Sequence, residues 1–200
     1  MLFLVFSDIH GNLNVAKKIV DISMEYQVDF IVGCGDFEEV SILRLINDHH
    51  DHFLSIPGNV DGPSVLQAME KLNINLHGRL VQVNSLFIGG IGGYKMNLFL
   101  PRLVAKLEEV KPKKWILITH FPPKNTAADR FFIGFHVGNS KIKYLVKKFK
   151  PIACFCGHVH ESPCISFHED ILIVNPGPAF RWRAALVNLK NMTAIFIDLK

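Results

Sequence analysis

Apolar positions along this chain fall in short uninterrupted runs separated by segments of helical spacing. Leu2 to Phe6 is a continuous apolar run, as expected of a strand covered on both faces. Between Asn14 and Tyr26, Val15, Ile19 and Ile22 recur at helical spacing and predict a helix. Phe30 to Cys34 predicts a second strand, Glu39 to Ile46 a second helix, and Phe53 to Ile56 a third strand. Strand–helix–strand order points to parallel pairing through right-handed crossovers.

The rhythm then changes. Leu80 to Val83 and Leu86 to Gly89 predict neighbouring strands, followed by a flexible loop over Gly89-Gly90-Ile91-Gly92-Gly93. Pro101 to Val110 predicts a helix with proline at its first position. Trp115 to Thr119 reads as a buried strand, Ser140 to Phe149 as a basic helix and Ile152 to Cys156 as a strand. Cys164–Phe167, Ile171–Val174, Ala185–Leu189 and Ala194–Ile197 follow without helical spacers, which predicts antiparallel strands. No repeat, linker or low-complexity tract interrupts the chain, so residues 1–200 are expected to form one domain of two packed sheets flanked by helices.

The polar residues that follow the strands carry the chemistry. Leu2–Phe6 runs into Ser7-Asp8-Ile9-His10-Gly11-Asn12, Phe30–Cys34 into Gly35-Asp36, and Phe53–Ile56 into Pro57-Gly58-Asn59-Val60-Asp61. Trp115–Thr119 runs into His120, and Ile152–Cys156 into Gly157-His158-Val159-His160. In open α/β sheets the carboxyl ends of strands share one edge, where ligands bind. Asp8, His10, Asp36, Asn59, His120, His158 and His160 are therefore expected to converge. Oxygen and imidazole donors without thiolate suit Mn, Fe, Ni or Zn. Seven donors exceed one tetrahedral site and suit two cations about 3.5–4 Å apart, the arrangement used to activate water against phosphorus.

Composition narrows the picture. Of 200 residues, 49% are hydrophobic and 20% charged, which excludes a disordered chain or a coiled coil. The opening apolar stretch, Met1 to Phe6, is far shorter than the roughly 20 residues of a spanning helix. It also lacks the basic flank of a secretory signal, so a cytoplasmic protein without a membrane partner is expected. Four cysteines, Cys34, Cys154, Cys156 and Cys164, lie in or beside apolar runs and read as buried free thiols. Cys154 and Cys156 alternate in register with His158 and His160, but their spacing does not fit a Cys₂His₂ zinc site.

The formal net charge is +4. Lysines cluster at Lys141, Lys143, Lys147, Lys148 and Lys150, and at Lys111, Lys113 and Lys114. They read as solvated helix faces rather than a nucleic-acid surface, and an anionic small substrate suits the charge. A homo-oligomer is left open.

Taken in order, Asp8-Ile9-His10, Gly35-Asp36, Gly58-Asn59-Val60-Asp61, His120 in Thr119-His120-Phe121-Pro122-Pro123, and Gly157-His158-Val159-His160 resemble the five blocks of the calcineurin-like metallophosphoesterases. His136-Val137-Gly138-Asn139-Ser140, His160-Glu161 and Asn175-Pro176-Gly177-Pro178 are similar to its compact archaeal and bacterial members. The resemblance implies a four-layer α/β/β/α sandwich and a cytoplasmic metal-dependent hydrolase of small phosphorylated substrates. It implies that Asp8, His10 and His160 hold one metal, that Asn59, His120 and His158 hold the second, and that Asp36 bridges them. The attacking group would be a hydroxide shared by the two metals.

The pattern departs from the family at Val60, where a histidine that protonates the leaving group is common. Losing that acid typically costs 10²–10⁴-fold, so substrates with good leaving groups, phosphodiesters among them, are expected to be favoured. His136 is the candidate replacement donor, with capping of the following helix as its alternative. Asn12 is read as a phosphate-binding amide or a turn residue, and Asp61 as the residue that orients a ligand histidine. Arg181 could meet an anion, though ordinary exposure accounts for it. His49, His50, His52, His77 and His168 have no comparable context. Phe99, Phe131, Phe132 and Phe135 are read as lining an apolar pocket or a dimer contact. The competing function is a phosphoesterase-fold scaffold, like the retromer subunit that also lacks this histidine.

Overall fold

Alternation along the first strand sets the layers. In β1 (Leu2–Phe6), Phe3 and Val5 face one core while Leu4 and Phe6 face another. In the computed structural model, which describes residues 1–132 and 134–200, the central strands of both sheets share this two-sided burial, while edge strands such as Thr193–Asp198 are partly exposed. That burial explains why the central strands read as uninterrupted apolar runs rather than as alternating ones.

The elements follow in the order α1 (Leu13–Glu25), β2 (Phe30–Gly33), α2 (Val40–His49), β3 (Phe53–Ser55), α3 (Pro63–Lys71), β4 (Arg79–Val83) and β5 (Leu86–Ile91). Then come α4 (Met96–Val110), β6 (Trp115–Thr119), α5 (Ser140–Phe149), β7 (Ala153–Phe155), β8 (Cys164–His168), β9 (Ile171–Asn175), β10 (Arg183–Asn188) and β11 (Thr193–Asp198). One sheet runs β11-β10-β1-β2-β3, with β1, β2 and β3 parallel and β10 and β11 antiparallel. The other runs β4-β5-β6-β7-β9-β8, parallel at its centre and antiparallel at both edges.

Three cores separate four layers. Helices α1, α2 and α3 cover the outer face of the first sheet through Ile19, Ile42 and Met69 packed on Leu4, Phe6 and Ile31. Phe3, Val5 and Val32 meet Ile116, Ile118 and Phe155 between the sheets. Leu103, Leu107, Ile142 and Leu145 of α4 and α5 cover Trp115, Leu117 and Ile173 on the far side. The outcome is an α/β/β/α sandwich of two mixed sheets.

Several local expectations are corrected. Gly89 to Ile91 is not a flexible loop but the buried end of β5, paired in register with Leu117 to Thr119 of β6. Pro101 does not open α4; it lies inside the helix that begins at Met96. There it removes one helical N–H. Helix α3 was not anticipated, although Pro63 at its first turn and buried Val65, Ala68 and Met69 carry the signal. Strand β9 pairs antiparallel with β8 but parallel with β7, so the tail strands are not all antiparallel. Among the described residues, no helix is long and apolar enough to cross a membrane. Lys141, Lys147 and Lys148 lie on the exposed face of α5, opposite buried Ile142, Leu145 and Val146.

Candidate metal centre

The loops after β1 and β2 are laced together by backbone. Asp8 N–H donates to Gly35 O at 2.9 Å, and the N–H groups of Ile9 and His10 both donate to Asp36 O at 3.1 and 3.0 Å. The second sheet joins through His158 N–H, which donates to Asp8 Oδ2 at 3.0 Å, and within that sheet Gly157 N–H donates to His120 O at 3.0 Å. Close approach is decisive at two glycines. A Cβ on Gly58 would overlap Asp36 Oδ1, and one on Gly157 would overlap Ser7 Oγ. Asp8, His10, Asp36 and His158 all have positive φ, between 46° and 68°. Left-handed backbone costs a non-glycine residue about 1 kcal/mol or more, so tertiary contacts impose these conformations.

The donors form two groups. Ligating atoms of Asp8, His10 and His160 lie within 4.8 Å of one another, as do those of Asp36, His120 and His158. Asn59 joins the second group, its Oδ1 2.8 Å from His120 Nε2. All seven strand-end residues singled out in the sequence are thus placed in these two groups.

The hydrogen bonds fix which nitrogen faces inward. His120 Nδ1 lies 2.8 Å from Cys34 O, and a carbonyl only accepts, so Nδ1 carries the proton. In the neutral ring, Nε2 then presents a lone pair towards Asn59 Oδ1 and towards Asp36 Oδ2, 3.5 Å away. His120 Nε2, Asn59 Oδ1 and Asp36 Oδ2, three atoms able to ligate a metal, thus converge there. In the other group, Asp8 Oδ1 is buried without a hydrogen-bond donor, although His160 Nε2 stands 3.1 Å away. Both arrangements suit a cation, and the all-O,N donor set suits a borderline divalent one.

The electrostatics match. Burial pushes the Asp8 carboxyl up, but nearby His160 and His120 overcome it and hold the group at about 2. Burial raises Asp36, with His120 opposing. Burial also lowers His158 to about 4, helped by His120, and so favours the neutral ring that can ligate a metal. Contact with Asp8 raises His160.

Several neighbours were not anticipated. Phe180 packs edge-on against both His10 and His160, with centroids 5.4 Å from each, and Phe121 does the same for His120 and His158 at 5.2 and 4.7 Å. Glu38 Oε1 lies 2.6 Å from His10 Nδ1. Glu38 and Phe180 lie 28 and 170 residues from His10 and are brought to it only by the fold, whereas Phe121 directly follows His120 in the chain.

Other expected roles change. Asp61 does not orient a histidine. Its carboxylate accepts from the N–H groups of Asp36, Phe37, Glu38 and Gly58 at 2.7–3.0 Å, so it fixes the backbone of two site loops. His136 lies in neither donor group; its Nδ1 is 2.6 Å from Asp129 Oδ1, and α5 is capped instead by Asn139. Asn12 caps α1, its Oδ1 accepting from Val15 N–H at 3.2 Å. Val60 is half-exposed, and its N–H donates to Asp36 Oδ1 at 3.1 Å. Arg181 lies over Phe180, 5.4 Å from its centroid. Phe99 stacks on buried His77 at 4.1 Å rather than lining an open pocket, whereas Phe131, Phe132 and Phe135 are exposed. The calcineurin-like phosphoesterase superfamily domain matches residues 1–196.

The chain belongs to the calcineurin-like phosphoesterase superfamily. It is 27% identical over 191 residues to the uncharacterized protein MJ1162 of Methanocaldococcus jannaschii, a match covering 86% of each. Its fold is similar to that of TT1561 of Thermus thermophilus, with a TM-score of 0.81 at 17% identity over 100% of this chain and 99% of that one. It is also similar to a novel archaeal phosphodiesterase, with a TM-score of 0.65 at 16% identity over 98% of this chain and 99% of that one. At these identities the two structural likenesses show the calcineurin-like phosphoesterase fold alone.

Proposed function

We propose that this calcineurin-like phosphoesterase hydrolyses small phosphate esters with two divalent cations, and that phosphodiesters are its better substrates. The observation that carries the reading is the convergence of two groups of ligating atoms, Asp8, His10 and His160 in one and Asp36, Asn59, His120 and His158 in the other. Asp8, His10 and His160 would hold one cation, Asn59, His120 and His158 the other, and Asp36 would serve both. Mn, Fe, Ni and Zn fit these donors. When bound, the cations supply Lewis acidity towards phosphoryl oxygens and an acidified water.

The chain's own residues set the rest. Cys34 O holds the His120 tautomer, and Asp61 holds the Asp36–Glu38 and Gly58 backbones that carry two donors. Phe180 and Phe121 wall the two histidine pairs and limit their ring motion. Val60 beside Asp36 offers no proton to a leaving group, which favours esters whose leaving group departs unaided. The archaeal phosphodiesterase among the structural neighbours supports the same substrate class.

We also read residues 1–200 as one domain, supported by the core shared between the sheets. Cytoplasmic residence is supported by four free cysteines, three of them fully buried. Asp36→Asn and His158→Ala test the catalytic reading. Each is expected to abolish turnover of an aryl phosphodiester while far-ultraviolet circular dichroism stays native. Wild-type turnover in either variant contradicts the assignment.

A further inference from the structure

We infer that Glu38 is a positioning residue for the Asp8–His10–His160 cation site: its carboxylate fixes the His10 tautomer and adds negative charge behind the ligand, tightening that site selectively. The inference rests on the two-cation reading above.

Glu38 Oε1 lies 2.6 Å from His10 Nδ1. A carboxylate accepts, so Nδ1 carries the proton and Nε2 is the nitrogen left to ligate. Carboxylate–histidine–metal arrangements of this kind orient the ring and tune affinity. The other site is built differently, because His120 is oriented by the neutral Cys34 carbonyl. The two sites are thus backed by partners of different charge.

The chain holds Glu38 in place at a conformational cost. Its φ is 63°, in the left-handed region, and its N–H donates to Asp61 Oδ1 at 2.7 Å. Asp61 itself is buried and accepts three further backbone hydrogen bonds. Glu38 and His10 side chains remain 46% and 26% exposed, and an ion pair that exposed contributes little to stability. Strained backbone supporting a contact of so little structural value points to a role at His10. Phe180 packs on the same ring, so His10 is restrained from two directions.

Metal titration by calorimetry on the full chain, with Mn²⁺ as the probe, tests this in wild type, Glu38→Ala and Glu38→Gln. Two binding events are expected in wild type. Glu38→Ala should weaken one of them by about 10-fold, the low end of the usual 10–100-fold range because the pair is half-exposed, and leave the other unchanged. Glu38→Gln, which keeps an acceptor without charge, should fall between. Nitrogen-15 spectra of metal-free protein supply a second readout: His10 should be protonated at Nδ1 in wild type and lose that bias in Glu38→Ala. Unchanged affinities in Glu38→Ala, or an unchanged tautomer, overturn the role of Glu38. A wild type that takes up no Mn²⁺ overturns the two-cation reading itself.

Discussion

The Nδ1 hydrogen of buried His120 is committed to the carbonyl of Cys34, 2.8 Å away. That bond joins the two sheets, because Cys34 follows β2 and His120 follows β6. It also leaves Nε2 facing two further acceptors. The same contact thus serves packing and site chemistry.

Val60 occupies a half-exposed position against Asp36. Val60→His restores a proton donor there. Monoester turnover is expected to rise relative to diester turnover, by up to the 10²-fold lower range of general-acid effects. Kinetics on paired aryl mono- and diesters check it. An unchanged ratio means that leaving-group protonation does not limit the reaction.

Asp61 is a backbone acceptor, so its loss acts on stability and site geometry together. Asp61→Ala leaves four amide N–H groups without their carboxylate, three of the bonds being buried. Unpaired buried donors cost about 1–3 kcal/mol each before water or relaxation compensates. A loss of roughly 3 kcal/mol or more is expected in urea denaturation, with weakened metal uptake. Asp61→Asn, which can satisfy only part of the set, should be milder.

His77 is almost fully buried between the start of β4 and the segment after β5. Its Nδ1 accepts from Gly92 N–H at 2.8 Å and its Nε2 donates to Tyr94 O at 2.9 Å. Burial lowers its pKa from 6.5 to about 4. The unfolded chain therefore binds a proton between those values while the native chain does not, and stability falls as pH drops from 6.5 towards 4. The loss amounts to about 3 kcal/mol from this group. Urea midpoints across that range should fall less steeply in His77→Gln than in wild type, and an identical slope would contradict the assignment.

Much of this was legible in the sequence. Continuous runs such as Trp115–Thr119 predicted doubly covered strands, and they are buried from end to end. Strand ends followed by Asp8, Asp36, Asn59, His120 and His158 implied one shared edge, because parallel strands bring their carboxyl ends together. What escaped was tertiary. Glu38 and Phe180 reach His10 from loops with no periodic signature, and Asp61 bonds backbone groups that carry no side-chain motif. Pro101 misled because proline is favoured at the first helical turn, whereas here it sits inside α4. His77 looked contextless because its partners, Gly92 and Tyr94, lie 15 and 17 residues away and bond through backbone.

The central claim is that these donors bind two divalent cations that enable phosphate-ester hydrolysis. Metal-stripped protein reloaded separately with Mn, Ni, Co, Fe(II), Zn and Mg, then assayed on an aryl phosphomonoester and an aryl phosphodiester, tests it most directly. Turnover restored by a borderline divalent cation, with the diester preferred, is the predicted result. Tight uptake of cation with no turnover on either ester would contradict the catalytic claim and favour an interaction scaffold on the same fold.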